Sequence, residues 1–212
     1  MFANRHDAGQ QLADRLSQFS FHDPLVLGIP RGGMVVAAVI ADGLNAELDV
    51  TLARKLRAPQ QPELAVGSVA EDGQVHLTAS PDRIPGLTSV YIEQEASFQR
   101  AEIRRRQQLF REGRPAPSVE NRTVIVTDDG IATGSTMIAA LDALRPKHPR
   151  ELIAALPVAP PSRLPEIEKR CDRVICLHAP EIYYAVGQFF EDFHEVTDDD
   201  VVQMLQARAG RS

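Results

Sequence analysis

Chemistry concentrates in one stretch, Thr123 to Met137, which reads TVIVTDDGIATGSTM. Val124, Ile125 and Val126 make an apolar β-branched run, Asp128 and Asp129 follow it, and a small-residue turn from Gly130 to Thr136 leads into an apolar helical run. A buried strand that ends in carboxylates and then opens a helix through such a loop is an anion site with sugar-binding groups beside it. Backbone N–H groups at the helix start can hold a phosphate, and Thr133, Ser135 and Thr136 add hydroxyl donors. Two carboxylates next to that loop would repel a bare phosphate, so they need another partner. The vicinal hydroxyls of a ribose fit, because acidic side chains accept hydrogen bonds from them in other α/β nucleotide sites.

Three further segments carry groups of the same kind. The apolar run Leu25 to Ile29 is followed by Pro30-Arg31-Gly32-Gly33, where glycine lets a backbone approach a ligand closely. Leu48 to Ala53 reads as a strand running into Arg54-Lys55, which puts two cations at the carboxyl end of a parallel strand, the ligand edge of such a sheet. The tail gathers Tyr183, Tyr184, Phe189, Phe190 and Phe193 around Ala185-Val186-Gly187, with Glu191 and Asp192 close behind. Taken singly, these segments are also a tight βα turn, a solvated cation pair and core packing.

The stretch Val124 to Thr136 resembles the phosphoribosyl diphosphate (PRPP) motif of type I phosphoribosyltransferases, and the order of the other loops follows that family's plan over nearly the whole chain. The resemblance implies that Asp128 and Asp129 hold the ribose hydroxyls and help to carry Mg2+, and that Gly130, Ile131, Ala132, Thr133, Gly134, Ser135 and Thr136 cradle the 5-phosphate. It implies that Arg31, Gly32 and Gly33 face the pyrophosphate in a loop that often holds a non-proline cis peptide, and that Arg54 or Lys55 is its cation. Asp128, Asp129, Arg54 and Lys55 are then the catalytic set. A hood would cover the base, with Tyr184 stacking on it, Val186 beside it, and Asp192 as a further metal ligand partly through water. The reaction implied is displacement of pyrophosphate from C1 of the ribose by a nitrogen nucleophile. A PRPP or nucleotide sensor without turnover is the competing reading, against which Arg31, Arg54-Lys55 and the insertion described next favour an enzyme.

The elements that must position these groups alternate as helix and strand. Phe2 to Phe19 has apolar residues at helical spacing (Ala8, Leu12, Ala13, Leu16), with Asn4 or Asp7 as caps. Met34 to Leu44 is an apolar helix, Leu152 to Val158 and Val174 to Leu177 are strands, and Ser162 to Arg170 is a short helix between them. Val201 to Ala207 is a last helix capped by Thr197 and acids suited to its dipole. Between Arg57 and Glu120 the alternation breaks. Strands at Leu64 to Ala70 and Gln74 to Thr78 flank a turn signal at Asp72-Gly73, a loop covers Ser80 to Pro85, and a long charged helix runs from Thr88 to Arg111. Arg104, Arg105 and Arg106 on it read as a solvated face. The expected architecture is a single α/β domain over residues 1–212 with a doubly covered, mainly parallel sheet, an insertion at 57–120 and a hood at 178–212 formed with the other terminus. In the family such an insertion is the mobile lid.

Composition narrows the partners. A net charge of −6 argues against nucleic acid, and no stretch approaches the roughly 20 apolar residues of a membrane span. The N-terminus lacks an apolar signal region, and Cys171 and Cys176 have no zinc-site spacing, so a reducing cytoplasm is the expected setting. No Gly-x-Ser-x-Gly elbow or Gly-x-x-x-x-Gly-Lys-Ser/Thr loop occurs, which removes serine hydrolases and P-loop kinases. PRPP and a small-molecule acceptor are the expected ligands, with the acceptor's identity and a homodimer left open.

Overall fold

The computed structural model describes residues 1–78 and 83–208, so part of the loop expected at 80–85 and the last four residues of the segment 178–212 lie outside it. In chain order the elements are α1 (Arg5–Leu16), β1 (Leu25–Gly28), α2 (Gly32–Leu44), β2 (Glu47–Val50), β3 (Arg54–Ala58), β4 (Gln61–Val69), β5 (Val75–Leu77), α3 (Ser89–Arg111), β6 (Thr123–Thr127), α4 (Ser135–Leu144), β7 (Glu151–Val158), α5 (Leu164–Glu168), β8 (Arg173–His178) and α6 (Asp198–Gln206). Five strands form a parallel sheet in the order β2-β1-β6-β7-β8, and β3-β4-β5 form a separate antiparallel sheet.

The central strands are apolar on both faces because both faces are covered. Val26, Ile125, Ile153 and Ile175 pack against Leu12 and Leu16 of α1 and Val36, Ala37 and Ile40 of α2. Their neighbours Leu25, Leu27, Val124, Val126 and Leu152 point the other way, onto Met137, Ala140, Leu141 and Leu144 of α4 and Ile167 of α5. The register pairs Val26 with Ile125 and Ile125 with Ile153, so one layer of branched side chains crosses the sheet at a constant height. Burial of that layer fixes the positions of the strand ends, and Gly28, Val50 and Thr127 finish β1, β2 and β6 on one common edge.

The second strand is shorter than the sequence suggests. Thr51 N still donates to Gly28 O at 3.0 Å, but Leu52 N donates to the Glu71 carboxylate at 3.0 Å, and the chain leaves the sheet there. Arg54 and Lys55 therefore open the antiparallel sheet instead of closing a parallel strand. The excursion has its own core, in which Leu56, Val66, Val69, Ala96, Ile103 and Phe110 meet Met34 of α2 and Val201 and Leu205 of α6. The hairpin expected at Asp72-Gly73 is present, with Gly73 at φ +83°, a conformation that suits glycine. Arg104 and Arg105 are exposed, as a solvated face should be, whereas Arg106, which also pairs with Glu102, is only 20% exposed.

Arg111, at the end of α3, is a buried cation that the sequence pattern hides among its charged neighbours. Its guanidinium donates to Asp49 Oδ2 (2.8 Å), Glu71 Oε2 (2.7 Å), Glu71 Oε1 (3.1 Å) and Val50 O (2.8 Å). It thereby ties the excursion to the end of β2. Burial pushes the Asp49 carboxyl up, and Arg111 opposes that push. Arg111→Met should lower the unfolding free energy by about 3–5 kcal/mol, because it strands two carboxylates in a mostly apolar setting. Arg111→Lys should recover only part, since one ammonium cannot replace a fork that makes four bonds. Urea midpoints for the two variants check this, and a midpoint unchanged by either would show that the network does not hold the excursion.

Candidate functional site

The acid pair sits at the carboxyl end of β6, between the loop after β1 and the start of α4. Asp128 Oδ1 accepts from the backbone N–H of Asp129 at 2.9 Å. Asp129 Oδ2 accepts from Arg5 Nε at 2.7 Å, and both side chains of that ion pair are largely buried. Arg5 NH1 also donates to His194 O at 2.7 Å, and its guanidinium lies 3.7 Å from the centre of the Phe193 ring. Arg5 is the functional neighbour that sequence missed; on an amphipathic helix it looks like any surface cation.

Electrostatics make the pair unequal. Protein atoms crowd the Asp128 carboxyl, and burial, then the Asp129 charge, push it well above the usual carboxylate range. Burial also raises Asp129, while Arg5 pulls it back. Two acids this close cannot both ionise cheaply, so each disfavours charge on the other, and Arg5 favours the charged form of Asp129 over that of Asp128.

The glycines of the first loop are required by this pair. A Cβ on Gly32 would strike the Asp129 carboxylate, and one on Gly33 would stand 2.8 Å from Asp128 Cα. The sequence reading has them clear a path for a ligand; they first clear a seat for the acids. The Pro30–Arg31 peptide is cis. Arg31 itself is exposed and its guanidinium turns to Glu195 of the tail at 2.8 Å. Neither α2 nor α4 has a side-chain cap, so the first-turn amides of both face this edge, and Gly134 takes φ +75° at the entry to α4. Ala132, Thr133 and Thr136 are exposed, with Thr133 Oγ1 3.1 Å from Ser135 Oγ, while Ile131 is buried and its N–H donates to Val158 O at 3.1 Å.

Arg54 and Lys55 reach the same region from the second sheet. They line a cavity of about 250 Å3 with Ala53, Arg57, Pro62, Gln99 and Thr136, so the expected cations and the end of the phosphate loop do face one space. Arg57 and Gln99 are additions that motif reasoning did not supply. Arg57 pairs with Glu95 at 2.7 Å, and Arg54 Nε donates to Gln99 Oε1 at 3.1 Å.

The tail covers the pair from the other side. Phe2 N donates to Phe189 O at 2.8 Å, Glu191 N to Phe2 O at 2.9 Å and Asp192 N to Ala3 O at 2.9 Å, so the two termini pair beside the site. Val186 packs on Gly130, where its Cγ1 stands 2.7 Å from the position of a Cβ. Tyr184 is 86% exposed, with its amide held by Gln188 Oε1 at 2.8 Å. Its neighbour Tyr183 turns inward, packs on Phe189 with ring centroids 4.9 Å apart, and buries a hydroxyl that has no hydrogen-bond partner. Burial, and then the charge of Asp129, push that phenol up, which places it within electrostatic reach of the acids. Adjacent residues on an extended segment face opposite ways, and here the inward one is Tyr183.

Asp192 does not join the acid pair. Its carboxylate lies 3.1 Å from His194 Nε2, and no group of three or more metal-ligating side chains occurs among the described residues. The donor set still suits Mg2+ that travels with a polyphosphate, because this ion keeps several waters and takes one or two carboxylates plus substrate phosphates. No helix among the described residues is long and apolar enough to cross a membrane.

Known proteins share this scaffold. The family model for the phosphoribosyl transferase domain matches residues 4–194. Two Mycobacterium tuberculosis proteins, each named "Putative phosphoribosyl transferase", are 40% identical over 205 residues, which is 97% of this chain and 46% of theirs. The chain thus spans about half the length of these curated relatives. A solved protein from Thermus thermophilus superposes with a TM-score of 0.90 at 41% identity, covering 97% of this chain and 98% of that one. An Aquifex aeolicus protein shares the fold at a TM-score of 0.53 and 14% identity, covering 96% of this chain and 85% of that one. On the family match and the 40% identity, the chain belongs to the phosphoribosyl transferase domain family.

Proposed function

We propose that this chain transfers the phosphoribosyl group of PRPP to a nitrogen acceptor and releases pyrophosphate. The observation that supports this reading best is the acid pair itself. It is seated by two glycines at the start of the loop that leads into α4, and the far end of that loop, Thr136, lines the cavity of Arg54 and Lys55. The 5-phosphate belongs on residues 131–136, where the helix dipole and N–H donors favour an anion. The ribose hydroxyls belong on Asp128 and Asp129, where a bare phosphate would be repelled. Pyrophosphate then lies toward Arg31-Gly32-Gly33 and the Arg54 side.

Cleavage of the C1–O bond leaves positive charge on the ribose ring and negative charge on the departing pyrophosphate. Asp129 stabilises the first, while Arg54, Lys55 and the first-turn amides stabilise the second. Asp128 and Asp129 would help to hold Mg2+ brought in with the substrate, and the ion would supply charge neutralisation for the leaving pyrophosphate. The excursion at 57–120, with its start at Arg54, is proposed as the cover that excludes water, and the segment 178–208 as the hood over the acceptor. The two free cysteines and the net charge fit a cytoplasmic protein acting on small molecules rather than nucleic acid. A pyrophosphate-release screen of PRPP and Mg2+ against purines, pyrimidines and small amines tests the reading. Tight PRPP binding without turnover on any acceptor would favour the sensor reading instead.

Two sets of variants separate the roles. Asp128→Asn should cost less stability than Asp129→Asn, because burial and the neighbouring Asp129 already work against a charge on Asp128. Asp129→Asn should cost about 1.5–3 kcal/mol, because Arg5 loses its partner. Both should weaken PRPP with Mg2+ by roughly tenfold or more in a calorimetric titration. Equal stability losses, or unchanged PRPP affinity in both, would contradict the assignment.

Tyr183→Phe removes an unpaired buried hydroxyl, so the apparent Tm should hold or rise. If that hydroxyl meets a ligand at the acids, PRPP or acceptor binding should weaken by about threefold to tenfold, while Tyr184→Phe changes nothing. Binding and Tm measured side by side decide it; a higher Tm with intact binding would make Tyr183 a packing residue only.

A further inference from the structure

Three guanidinium groups on the excursion are handled in different ways. Arg111 is neutralised by Asp49 and Glu71, and Arg57 by Glu95, which accepts from its Nε at 2.7 Å and from its NH2 at 3.2 Å. Arg54 is given an amide. Its Nε donates to Gln99 Oε1 at 3.1 Å, and Gln99, only 2% exposed, passes its own Nε2–H to Glu95 Oε1 at 2.9 Å. The chain Arg54–Gln99–Glu95–Arg57 fixes which end of the amide faces which partner, since only the oxygen can accept from Arg54 and only the nitrogen can donate to Glu95. One turn of α3 thus supplies Arg57 with a carboxylate and Arg54 with a neutral acceptor. Both cations line the cavity that ends at Thr136 of the phosphate loop.

We infer that Gln99 is a positioning residue for anion binding: it aims Arg54 into the cavity without cancelling its charge, while Glu95 takes Arg57 out of play. The inference rests on the reading of this cavity as the pyrophosphate side of the site and adds the residue that sets its charge. A guanidinium that is partly buried against a neutral amide costs free energy to keep, and an arriving anion recovers that cost. Burial, and then Arg106 nearby, depress Arg54, against an upward pull from Glu102 and Glu95. Glu95 shows the opposite state: against the upward push of burial, Arg57 and Gln99 hold it below the usual carboxylate range. A carboxylate at position 99 would cancel the Arg54 charge and would have no hydrogen to donate to Glu95, so an amide is the side chain that serves both neighbours.

The decisive experiment exchanges the two side chains in the full chain, as Glu95→Gln with Gln99→Glu. Net charge is unchanged and each arginine keeps an acceptor, with the new Gln able to accept from Arg57 and donate to the new Glu. Inorganic pyrophosphate, with and without Mg2+, is titrated calorimetrically into parent and variant, and apparent Tm is recorded for both. The expected result is a Tm within a few degrees of the parent and pyrophosphate affinity lower by roughly tenfold or more. Equal affinity in parent and exchange variant overturns the inference, as does a parent that binds no pyrophosphate at millimolar concentration. Should the double variant fail to fold, Gln99→Met and Gln99→Glu are compared singly. Greater loss of affinity in the Glu variant supports a charge-setting role, and equal loss in both overturns it. A parent that binds pyrophosphate but not PRPP would sink the phosphoribosyl reading while leaving this inference intact.

Discussion

Two adjacent carboxylates held against a protein surface that leaves them room for one charge are the constraint around which the rest is arranged. Isolated acids at a strand end would turn to water. Here Asp128 is crowded by the Gly33 backbone, Asp129 is seated on Gly32, and Arg5 arrives from the first helix to pair with Asp129. Each neighbour is explained by that need. The glycines are absent side chains whose space the acids occupy, and the pairing of Phe2 and Ala3 with residues 189–192 anchors the N-terminal segment next to the helix that carries Arg5. The stacking of Arg5 on Phe193 links the same contact to the tail. A single ion pair therefore joins both termini and the edge of the central sheet.

The excursion is attached by the same kind of physics at a different point. Arg111 closes a buried network with Asp49 at the end of β2 and Glu71 in the hairpin, and Glu71 also captures the Leu52 amide where the chain leaves the sheet. The base of the excursion is thus tied by charge to the parallel sheet, and its apolar side is shared with α2 and α6. Any closing movement over the site has to occur beyond these ties, in the part of the hairpin and α3 that carries Arg54, Arg57, Glu95 and Gln99.

Much of this is legible in the sequence, for identifiable reasons. Parallel strands covered on both faces need continuous apolar runs, so Leu25 to Gly28, Thr123 to Thr127 and Glu151 to Val158 announce themselves, and the acid-glycine-hydroxyl loop keeps its order along the chain. Asn4 and Thr197 cap the helices they were expected to cap. Long-range pairings are not legible. Nothing near Arg5 indicates that it will meet Asp129, 124 residues away, and Arg111 looks like its exposed neighbours Arg104 and Arg105. The choice between Tyr183 and Tyr184 depends on which side of an extended segment faces the acids, and two aromatics in succession carry no such signal. The end of β2 is misplaced for a similar reason: the Glu71 side chain, remote in sequence, replaces a ladder partner.

A chain with a net charge of −6 is a poor host for a polyanion only if charge is averaged over the surface. At physiological salt, exposed charges more than about 8 Å away are largely screened, so a bound phosphate responds to its immediate walls. Those walls are the starts of α2 and α4, whose N-cap residues make no side-chain cap bond, and a cavity edged by Arg54 and Lys55. Of the acids nearest to them, Asp129 and Glu95 are already committed to a cation, and burial works against a charge on Asp128. Local accounting therefore reverses the global sign. The same committed acids leave little negative potential free to reject an anion, while Asp129 retains an oxygen beyond its Arg5 contact with which to accept from a sugar hydroxyl. Under the proposed function, these walls would suit a ligand that presents phosphate and hydroxyl groups together better than one that presents either alone.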